Sequence, residues 1–316
     1  MKIFRSLAEI PAAFGPSVVA IGNFDGVHAG HRQIMRRAVE LARAHGYNPA
    51  VLTFDPHPAR VLAPDRAPKL LMTIDQRLRN LEAEGIEEVL LLPFSVEFAK
   101  LTPEEFAEQV LVKTLKARVV LVGEDFRFGY KQSGNVDTLR TLGGRFGYDL
   151  EAVPAITQRG ERISSTAIRK MVEAGRVSRA CRMLGGPFAL EGSVVSGRGI
   201  GSKQTVPTLN LVPLNEVLPT TGVYVTRTID LDSQRIWPSI TNVGYRPTFD
   251  GEGLTVETFL LEPPGDEQPR RIEVSFVKFV RDERKFESSD ALKARIFQDV
   301  SVAKRLHQRL AKIRMG

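Results

Sequence analysis

Two histidines, His28 and His31, lie three residues apart in a glycine-rich stretch near the start of the chain. Residues at this spacing on a helix face the same way, and imidazoles can donate hydrogen bonds to oxygens as negative charge develops on them. Nucleotidyl transfer needs little more than that. The surrounding residues that we predict to bind nucleotide phosphate are Gly22, Asn23, Phe24, Gly26 and Gly30.

The elements around these histidines favour a phosphate site. Ser17–Ile21 predicts a short buried strand and Gln33–Ala44 a helix, so the glycines fall in a strand-to-helix turn, where backbone amides approach phosphate closely. Zinc binding is an alternative for the His-x-x-His spacing. One cysteine, five histidines and no further ligand cluster nearby disfavour it. Purely structural histidines are a second alternative, which the framing glycines Gly26 and Gly30 disfavour.

A hydroxyl-rich segment provides a second candidate anion site. Ser164, Ser165 and Thr166 stand where a helix begins, and Arg169 follows about one turn later. Such residues can cap the helix while exposing its amides to an anion, and the arginine can reach the same anion. Ordinary helix capping is the simpler explanation of the three hydroxyls taken alone.

Two further polar positions interrupt β-type segments in the second half of the chain. Thr208 and Asn210 are two residues apart on an extended segment, so their side chains project on the same side and could share one magnesium ion. Glu257 interrupts an otherwise apolar strand. It is either an edge carboxylate facing water or a positioned base.

The arrangement of elements predicts an α/β domain followed by a β domain. In the first, strand-like and helical segments alternate, which indicates a parallel sheet. Ligands bind beyond the carboxyl ends of such strands. The predicted strands are Pro49–Phe54, Glu88–Phe94 and Arg118–Gly123, and the predicted helices are Asp75–Glu84, Pro103–Leu115 and Asn135–Phe146.

The sequence changes character after Leu184, where Gly185–Pro187 breaks the helical pattern. We place the domain boundary here, between residues 1–184 and 185–316. The β-rich segments that follow are too close together for crossover helices, so they predict a compact antiparallel barrel. Ser288–Asp290 then signals a final helix with apolar positions at Leu292, Ile296 and Val300.

Composition narrows the class of protein. The chain has 316 residues, a formal net charge of +7 and 42% hydrophobic residues, which fit a globular protein of two domains. The amino terminus lacks a signal sequence, and no apolar run approaches the roughly 20 residues that cross a bilayer. The single cysteine, Cys181, suits a reducing compartment. We therefore expect a cytoplasmic protein with no membrane partner.

The basic charge admits nucleic acid as a partner, but the lysines and arginines are spread along the chain. No aromatic RNA-binding signature and no zinc-finger spacing accompanies them. Small phosphorylated substrates explain the charge at least as well, so we predict no nucleic-acid partner. These patterns leave the oligomeric state open.

The stretch Gly-x-Phe-Asp-Gly-x-His-x-Gly-His resembles the signature of the bacterial bifunctional riboflavin kinase/FAD synthetase family. Further matches to that family run nearly the length of the chain. The resemblance implies a Rossmann-like nucleotidylyltransferase domain, a riboflavin kinase-like barrel, and the synthesis of FMN from riboflavin and of FAD from FMN, each with ATP and Mg²⁺. The matching segments are Ile163–Arg169, Asp55–Pro58, Gly123–Gly129, Pro207–Asn210, Asn242–Phe249 and Val256–Leu261.

The resemblance also implies roles for individual residues. His28, His31 and Arg169 would stabilise the transition state of adenylyl transfer while Ser164, Ser165 and Thr166 hold the triphosphate. Glu257 would be the base of the kinase, and Thr208 and Asn210 would bind magnesium. The segments that would lie near nucleotide and flavin contribute Asp55, His57, Asp125, Phe126 and Arg127.

One segment departs from the family pattern. Where the family has Gly-Phe-Pro-Thr-Ala-Asn, this chain has Thr205-Val206-Pro207-Thr208-Leu209-Asn210, which puts in question how that loop packs on its ligand. Nearby, Ser196–Gly201 has the glycines of a dinucleotide fingerprint but lacks the helix that the fingerprint requires, so we reject that interpretation.

Two other functions compete with the bifunctional enzyme. One is an adenylyltransferase whose barrel is a non-catalytic flavin-binding module. The other is a basic nucleic-acid-binding protein on an old nucleotidylyltransferase scaffold. The presence of Glu257, Thr208 and Asn210 disfavours the first, and the intact motifs around His28 and Ser164 disfavour the second.

Overall fold

A computed structural model describes residues 1–195, 208–248, 251–264, 269–284 and 286–315 of the chain. The chain divides into two compact units, Met1–Lys69 with Ile74–Ser164, and Leu70–Thr73 with Ser165–Gly316. The glycines of Ser196–Gly201, the departing residues Thr205–Pro207 and Phe249 lie outside the described residues.

A six-stranded sheet forms the centre of the first unit. The strands lie in the order first, fourth, third, second, fifth, sixth, and every neighbouring pair is parallel. The predicted parallel sheet is therefore confirmed. The second and fourth strands are buried along their whole length, as expected of a parallel sheet covered on both faces. The strands are β1 (Lys2–Phe4), β2 (Ser17–Ile21), β3 (Asn48–Phe54), β4 (Glu88–Leu92), β5 (Ala117–Gly123) and β6 (Asp149–Val153).

Helices follow most of these strands: α1 (Ala29–His45), α2 (Pro58–Leu62), α3 (Ile74–Ala83), α4 (Pro103–Glu105) and α5 (Val136–Phe146). A π-helix, Phe106–Thr114, continues α4, where the sequence predicted an α-helix. Leu115 N donates to Val110 O at 2.9 Å, a bond of the i→i+5 type. Apolar periodicity predicts that a helix is buried on one face, but it does not distinguish the two hydrogen-bonding patterns. The unit ends in a short hairpin, β7 (Thr157–Gln158) and β8 (Glu161–Arg162).

The second unit contains a closed antiparallel barrel, as the sequence predicted. Its strands are β9 (Phe188–Val195), β10 (Thr208–Pro213), β11 (Gly222–Asp230), β12 (Ile236–Thr248), β13 (Gly251–Leu260) and β14 (Arg271–Arg281). They follow the order β10-β13-β12-β11-β14-β9, and the pairing of β9 with β10 closes the barrel. Closure leaves no open edge for another chain to pair with.

Two helices precede the barrel in sequence and belong to the same compact unit. They are α6 (Ser165–Glu173) and α7 (Val177–Leu184). Ser178 Oγ donates to Val277 O at 2.9 Å, and Cys181 Sγ to Phe276 O at 3.3 Å, which attaches α7 to β14. The contacts thus divide the chain after Ser164, twenty residues before the change in sequence character that we used to predict a boundary at 184/185.

Segment Leu70–Thr73 also belongs to the barrel unit. Leu70 N donates to Glu216 Oε2 at 2.8 Å, and Thr73 Oγ1 donates to Glu191 Oε1 at 2.6 Å. Asn215 Nδ2 donates to Leu71 O at 3.2 Å. Nothing in the sequence marks this segment, because its partners lie more than a hundred residues away.

The last helix, α8 (Ser289–Met315), packs on the outside of the barrel. Ala303 and Val300 contact Val223 and Ile240 of the barrel wall. The helix was predicted, but Leu292 and Ile296, which we expected on its apolar face, are exposed. The apolar contact with the barrel is made by the later part of the helix.

Buried hydroxyls line the barrel interior. Thr241 Oγ1 lies 2.7 Å from Thr226 Oγ1 and 2.9 Å from Thr258 Oγ1, and Ser239 Oγ lies 2.8 Å from Thr226 Oγ1. All four side chains are fully buried. Because a buried hydroxyl without a partner is costly, each of these residues depends on its neighbours in the chain of hydrogen bonds.

We expect Thr241→Val to destabilise the barrel by about 1–3 kcal/mol, since the new methyl group leaves two hydroxyls short of a partner. Trp237 is the single tryptophan and is buried on β12, so its fluorescence during thermal unfolding reports on the barrel. A fall in Tm of about 3–8 °C is the expected result. Ser193→Ala, at an exposed position of β9, is the control. An unchanged Tm for Thr241→Val would show that the hydroxyl chain contributes no stability.

Candidate active sites

The loop between β2 and α1 has an unusual backbone. Phe24, Gly26 and Val27 have φ values of 49°, 87° and 36°. Glycine adopts this region freely, whereas Phe24 and Val27 are held in it by complete burial of their side chains. The loop leads into the 17-residue helix α1, and the start of a helix is where phosphate binds in sites of this kind.

His28 and His31 stack on each other at the start of α1. Their ring centroids are 3.6 Å apart and the rings are 15° from parallel. His28 Nδ1 accepts a hydrogen bond from His31 N at 3.3 Å, so a neutral His28 carries its proton on Nε2. A Cβ added at Gly30 would lie 3.3 Å from the His28 ring, so the glycine leaves room for the stacked pair.

Burial keeps both imidazoles neutral at pH 7. It lowers the pKa of His28 to about 4. The pKa of His31 is lowered well below its ordinary value, first by burial, then by the charges of His28 and Arg77. Each ring therefore offers an N–H donor without a fixed positive charge.

Three predicted segments meet at one edge of the sheet. β2 lies between β3 and β5, and all three strands are parallel, so their carboxyl ends point to the same edge. The glycine-histidine loop follows β2, Asp55 and His57 follow β3, and Gly123–Gly129 follows β5. The strand order, which the sequence did not predict, places these loops side by side.

The residues at this edge that we predicted near nucleotide and flavin differ in their surroundings. His57 Nδ1 accepts from Ala59 N at 3.2 Å and so caps α2, while Asp55 is exposed. Arg162 Nη2 donates to Asp125 Oδ2 at 2.7 Å, an exposed ion pair that competes with any ligand of Asp125. Phe126 stacks on Phe128 with ring centroids 5.6 Å apart and packs against the core of the unit. Arg127 is exposed.

A buried arginine at the same edge was missed. Arg77 of α3 is 1% exposed and donates from Nη1 to Phe54 O at 3.1 Å, at the end of β3. Asp25, in the loop after β2, is 2% exposed and attracts the Arg77 guanidinium. A signal existed, because Arg77 interrupts the apolar stripe formed by Leu78 and Leu81 on α3.

The hydroxyl-rich segment spans the division between the units. Ser164 is the last residue of the first unit, and Ser165, Thr166 and Arg169 belong to α6 in the second. Arg169 stands one turn after the start of α6, as its spacing predicted.

A row of polar side chains crosses three barrel strands. Asn210 of β10 lies opposite Glu257 of β13, which in turn lies opposite Asn242 of β12. Directly paired residues of antiparallel strands share a face of the sheet. Leu209 and Leu211 are buried, so Thr208 and Asn210 project together on the other face of β10. Both predicted magnesium ligands therefore share a face with Glu257.

Leu209, one of the departures from the family pattern, points away from this row. It is buried with the alternate residue Leu211, whereas Thr208 is exposed. The larger side chain therefore changes the packing of the barrel and not the polar face. The other departures, Thr205 and Val206, lie outside the described residues.

An additional carboxylate approaches the row from the segment after β14. A Cβ at Gly244 would collide with the carboxylate of Glu283, so that carboxylate lies directly against Gly244. Gly244 is two residues after Asn242 on β12 and therefore on the same face.

The base of that segment is attached to α8. Arg281 donates from Nε and Nη2 to Asp299 Oδ2 at 2.9 and 2.7 Å, and Asp299 is buried. The Arg281 and Arg284 guanidinium groups lie 5.7 and 4.8 Å from the centre of the Phe286 ring. The Arg281–Asp299 ion pair holds the start of this segment against the last helix.

Across the part of the chain that the structure describes, none of the helices has the length and apolar character to cross a bilayer. Within the same residues, no three His, Cys, Asp or Glu side chains converge as a metal-binding group would. The Thr208–Asn210 pair is of a different kind, since a hydroxyl and an amide supply its oxygens.

Two family models match the chain. The FAD synthetase model matches residues 10–167, and the riboflavin kinase model matches residues 184–307. The second match supports a catalytic barrel, against the alternative of a non-catalytic one.

Whole-chain relatives carry both activities in their names. The bifunctional riboflavin kinase/FMN adenylyltransferase of Escherichia coli K12 is 36% identical over 305 residues, 96% of this chain and 97% of its own length. That of Pseudomonas fluorescens is 36% identical over 97% and 98%. That of Haemophilus influenzae is 33% identical over 96% and 98%.

Among solved structures, a macrolide-efflux protein from Streptococcus pneumoniae matches with a TM-score of 0.85 and 31% identity, over 96% of this chain and 98% of its own. The match spans the sequence of both compact units. With the parallel sheet, the closed barrel and the named relatives, the chain belongs to the bifunctional riboflavin kinase/FMN adenylyltransferase family, and riboflavin, FMN and ATP are its substrates.

Proposed function

We propose that residues 1–184 adenylylate FMN and that residues 185–316 phosphorylate riboflavin. The observation that carries the first assignment is the stacked, neutral pair His28 and His31 at the start of α1. The second rests on the aligned row Asn210, Glu257 and Asn242.

In the adenylyl transfer, an oxygen of the FMN phosphate attacks the α-phosphorus of ATP. The bond to the β-phosphate bridging oxygen breaks, pyrophosphate leaves, and no covalent enzyme intermediate forms. His28 donates from Nε2 and His31 from its own ring to phosphate oxygens as charge moves onto them. The backbone amides of Asn23–Gly26 and Gly30 contribute further donors.

The hydroxyl-rich segment supplies the remaining contacts of this reaction. Ser164, Ser165 and Thr166 hold the phosphates, and Arg169 neutralises the charge of the departing pyrophosphate. Asp55, His57, Asp125, Phe126 and Arg127 are proposed to orient the nucleotide and the flavin, since their loops follow strands next to β2.

In the kinase reaction, Glu257 accepts the proton of the riboflavin 5′-hydroxyl as that oxygen attacks the γ-phosphorus of ATP, and ADP leaves. Thr208 and Asn210 would hold a magnesium ion with the ATP phosphates. Their hydroxyl and amide oxygens fit a hard cation, and both lie on the face that carries Glu257. Bound magnesium neutralises charge on the phosphates.

A divalent metal with ATP is general for these two kinds of enzyme, and Mg²⁺ is our specific proposal for this chain. A cytoplasmic location is also part of the proposal. The Cys181 thiol is free, and burial raises its pKa, so it is an unreactive structural residue of the kind found in reducing compartments.

The assignment of one reaction to each domain is tested by substituting one residue in each. Purified protein is incubated with ATP and Mg²⁺ and with either riboflavin or FMN, and the flavins are separated by chromatography. We expect Glu257→Gln to lower the rate of FMN formation at least about 100-fold and to leave FAD formation from FMN unchanged. His28→Gln should do the reverse.

Glu273→Gln, a carboxylate on β14, which does not pair with β13, is the matched control and should retain both activities. Loss of both activities in Glu257→Gln, with its fold intact by circular dichroism, would contradict the assignment. So would FAD formation by His28→Gln at the parent rate.

The neutral state of His28 predicts an effect of pH on stability. An unfolded histidine takes up its proton near pH 6.5, whereas the folded pKa is about 4. The unfolded state therefore binds more protons in this window, and stability falls as the pH is lowered. Between pH 7 and 5 the loss from this residue is about 2 kcal/mol.

Urea unfolding of the parent and of His28→Asn, followed by circular dichroism at pH 7, 6 and 5, measures the effect. Asparagine can keep the hydrogen bond from His31 N but does not titrate. The variant should lose less free energy of unfolding over this range than the parent. Equal slopes in the two proteins would show that His28 titrates near its ordinary pKa.

A further inference from the structure

A single cation is buried at the edge where adenylyl transfer is assigned. Among the lysine and arginine side chains whose burial the structure describes, Arg77 is the one that is buried. It occupies the inner face of α3 beside Leu78 and Leu81. Burying a guanidinium costs several kcal/mol unless charge and hydrogen bonds offset it, so a buried arginine needs an explanation.

The contacts of Arg77 join two strand ends. Its Nη1 donates to Phe54 O at 3.1 Å and lies 3.5 Å from Thr53 Oγ1. Thr53 Oγ1 in turn donates to Asn23 O at 3.2 Å, in the loop that leads to the histidines. The guanidinium therefore links the end of β3 to the loop after β2.

The hydrogen bonding of Arg77 is incomplete. Its Nε is buried and has no hydrogen-bond partner in the described part of the chain. His31 Nδ1, in the same unit, is also buried without a partner there. Buried polar groups are normally satisfied, so the two unsatisfied atoms set Arg77 and His31 apart from ordinary polar residues of the interior.

The charge of Arg77 acts on both sides. Asp25 and Asp55 attract the guanidinium and partly offset the effect of burial, which lowers the pKa of Arg77. On the other side, the positive charges of His28 and Arg77 add to burial in lowering the pKa of His31. Arginine remains protonated at any pH at which the protein folds, so its charge on His31 is constant.

We propose that Arg77 is a positioning residue of the adenylyl-transfer site, which fixes the ends of β2 and β3 and the charge around His31 before ATP binds. The inference rests on the proposed role of His31 in that site. Lysine is a poor substitute, because it places one ammonium group where arginine offers a planar set of five N–H donors.

The test compares Arg77→Met and Arg77→Lys with Arg79→Met, an exposed arginine two residues further along the same helix. FMN-to-FAD and riboflavin-to-FMN rates are measured on the same preparations, with kcat and the KM for ATP determined separately. The pKa of His31 is measured by NMR in histidine-labelled protein, with His31→Gln used to assign its signal among the five histidines.

We expect Arg77→Met to lower the kcat of FAD formation about 10- to 100-fold while the kinase rate of the same protein stays within about twofold. Removal of the cation should also raise the pKa of His31. Arg77→Lys should keep the pKa of His31 low and recover part of the lost rate. Arg79→Met should behave as the parent in every measurement.

If either the selective loss of FAD formation or the shift of the His31 pKa is missing in Arg77→Met, the inference is wrong. Should that variant fail to fold, Arg77→Lys decides, since full FAD formation by it would overturn the need for a guanidinium. The role of His31 is tested apart from this by His31→Gln. If that variant forms FAD at the parent rate, the proposed function of the site fails whatever Arg77 does.

Discussion

The parallel pairing of β2 with β3 on one side and β5 on the other is the interaction on which the adenylyl-transfer site depends. It brings three loops to one edge of the sheet. They carry the stacked histidines after β2, Asp55 and His57 after β3, and the acidic and aromatic residues of Gly123–Gly129 after β5. The bond from Thr53 to Asn23 O shows how closely two of the loops are connected.

In the barrel, antiparallel pairing positions the polar residues. Because its strands are antiparallel and closed, alternate residues face the interior and the exterior all around it. The interior holds leucines together with a chain of bonded hydroxyls, and the exterior face carries Asn210, Glu257 and Asn242 in register. Leu209, where the family pattern has alanine, lies in the interior, while the polar row occupies the alternate positions.

Much of the architecture follows from local patterns. Alternating strands and helices predicted the parallel sheet, and short β-rich segments without room for crossovers predicted the barrel, since both depend on periodicity within one segment. The π-helix was missed because the spacing of its buried residues, Phe106, Ala107, Val110 and Leu111, is also the spacing of an α-helical face. The exposure of Leu292 and Ile296 was missed because periodicity cannot say where along a helix its partner ends.

The sequence by itself determined which chemical groups are present and in what order: a histidine pair in a glycine-rich turn, a hydroxyl-rich helix start with Arg169, and Thr208, Asn210 and Glu257 on strands. These were enough to identify the family, since residue types at fixed spacing are local properties. The tertiary structure alone decided that both histidines are neutral and that the charge of the buried Arg77 acts on His31. It also decided that Asn210 lies opposite Glu257. Burial, strand register and the field of a distant charge arise from contacts between residues far apart in the chain, which no local pattern records.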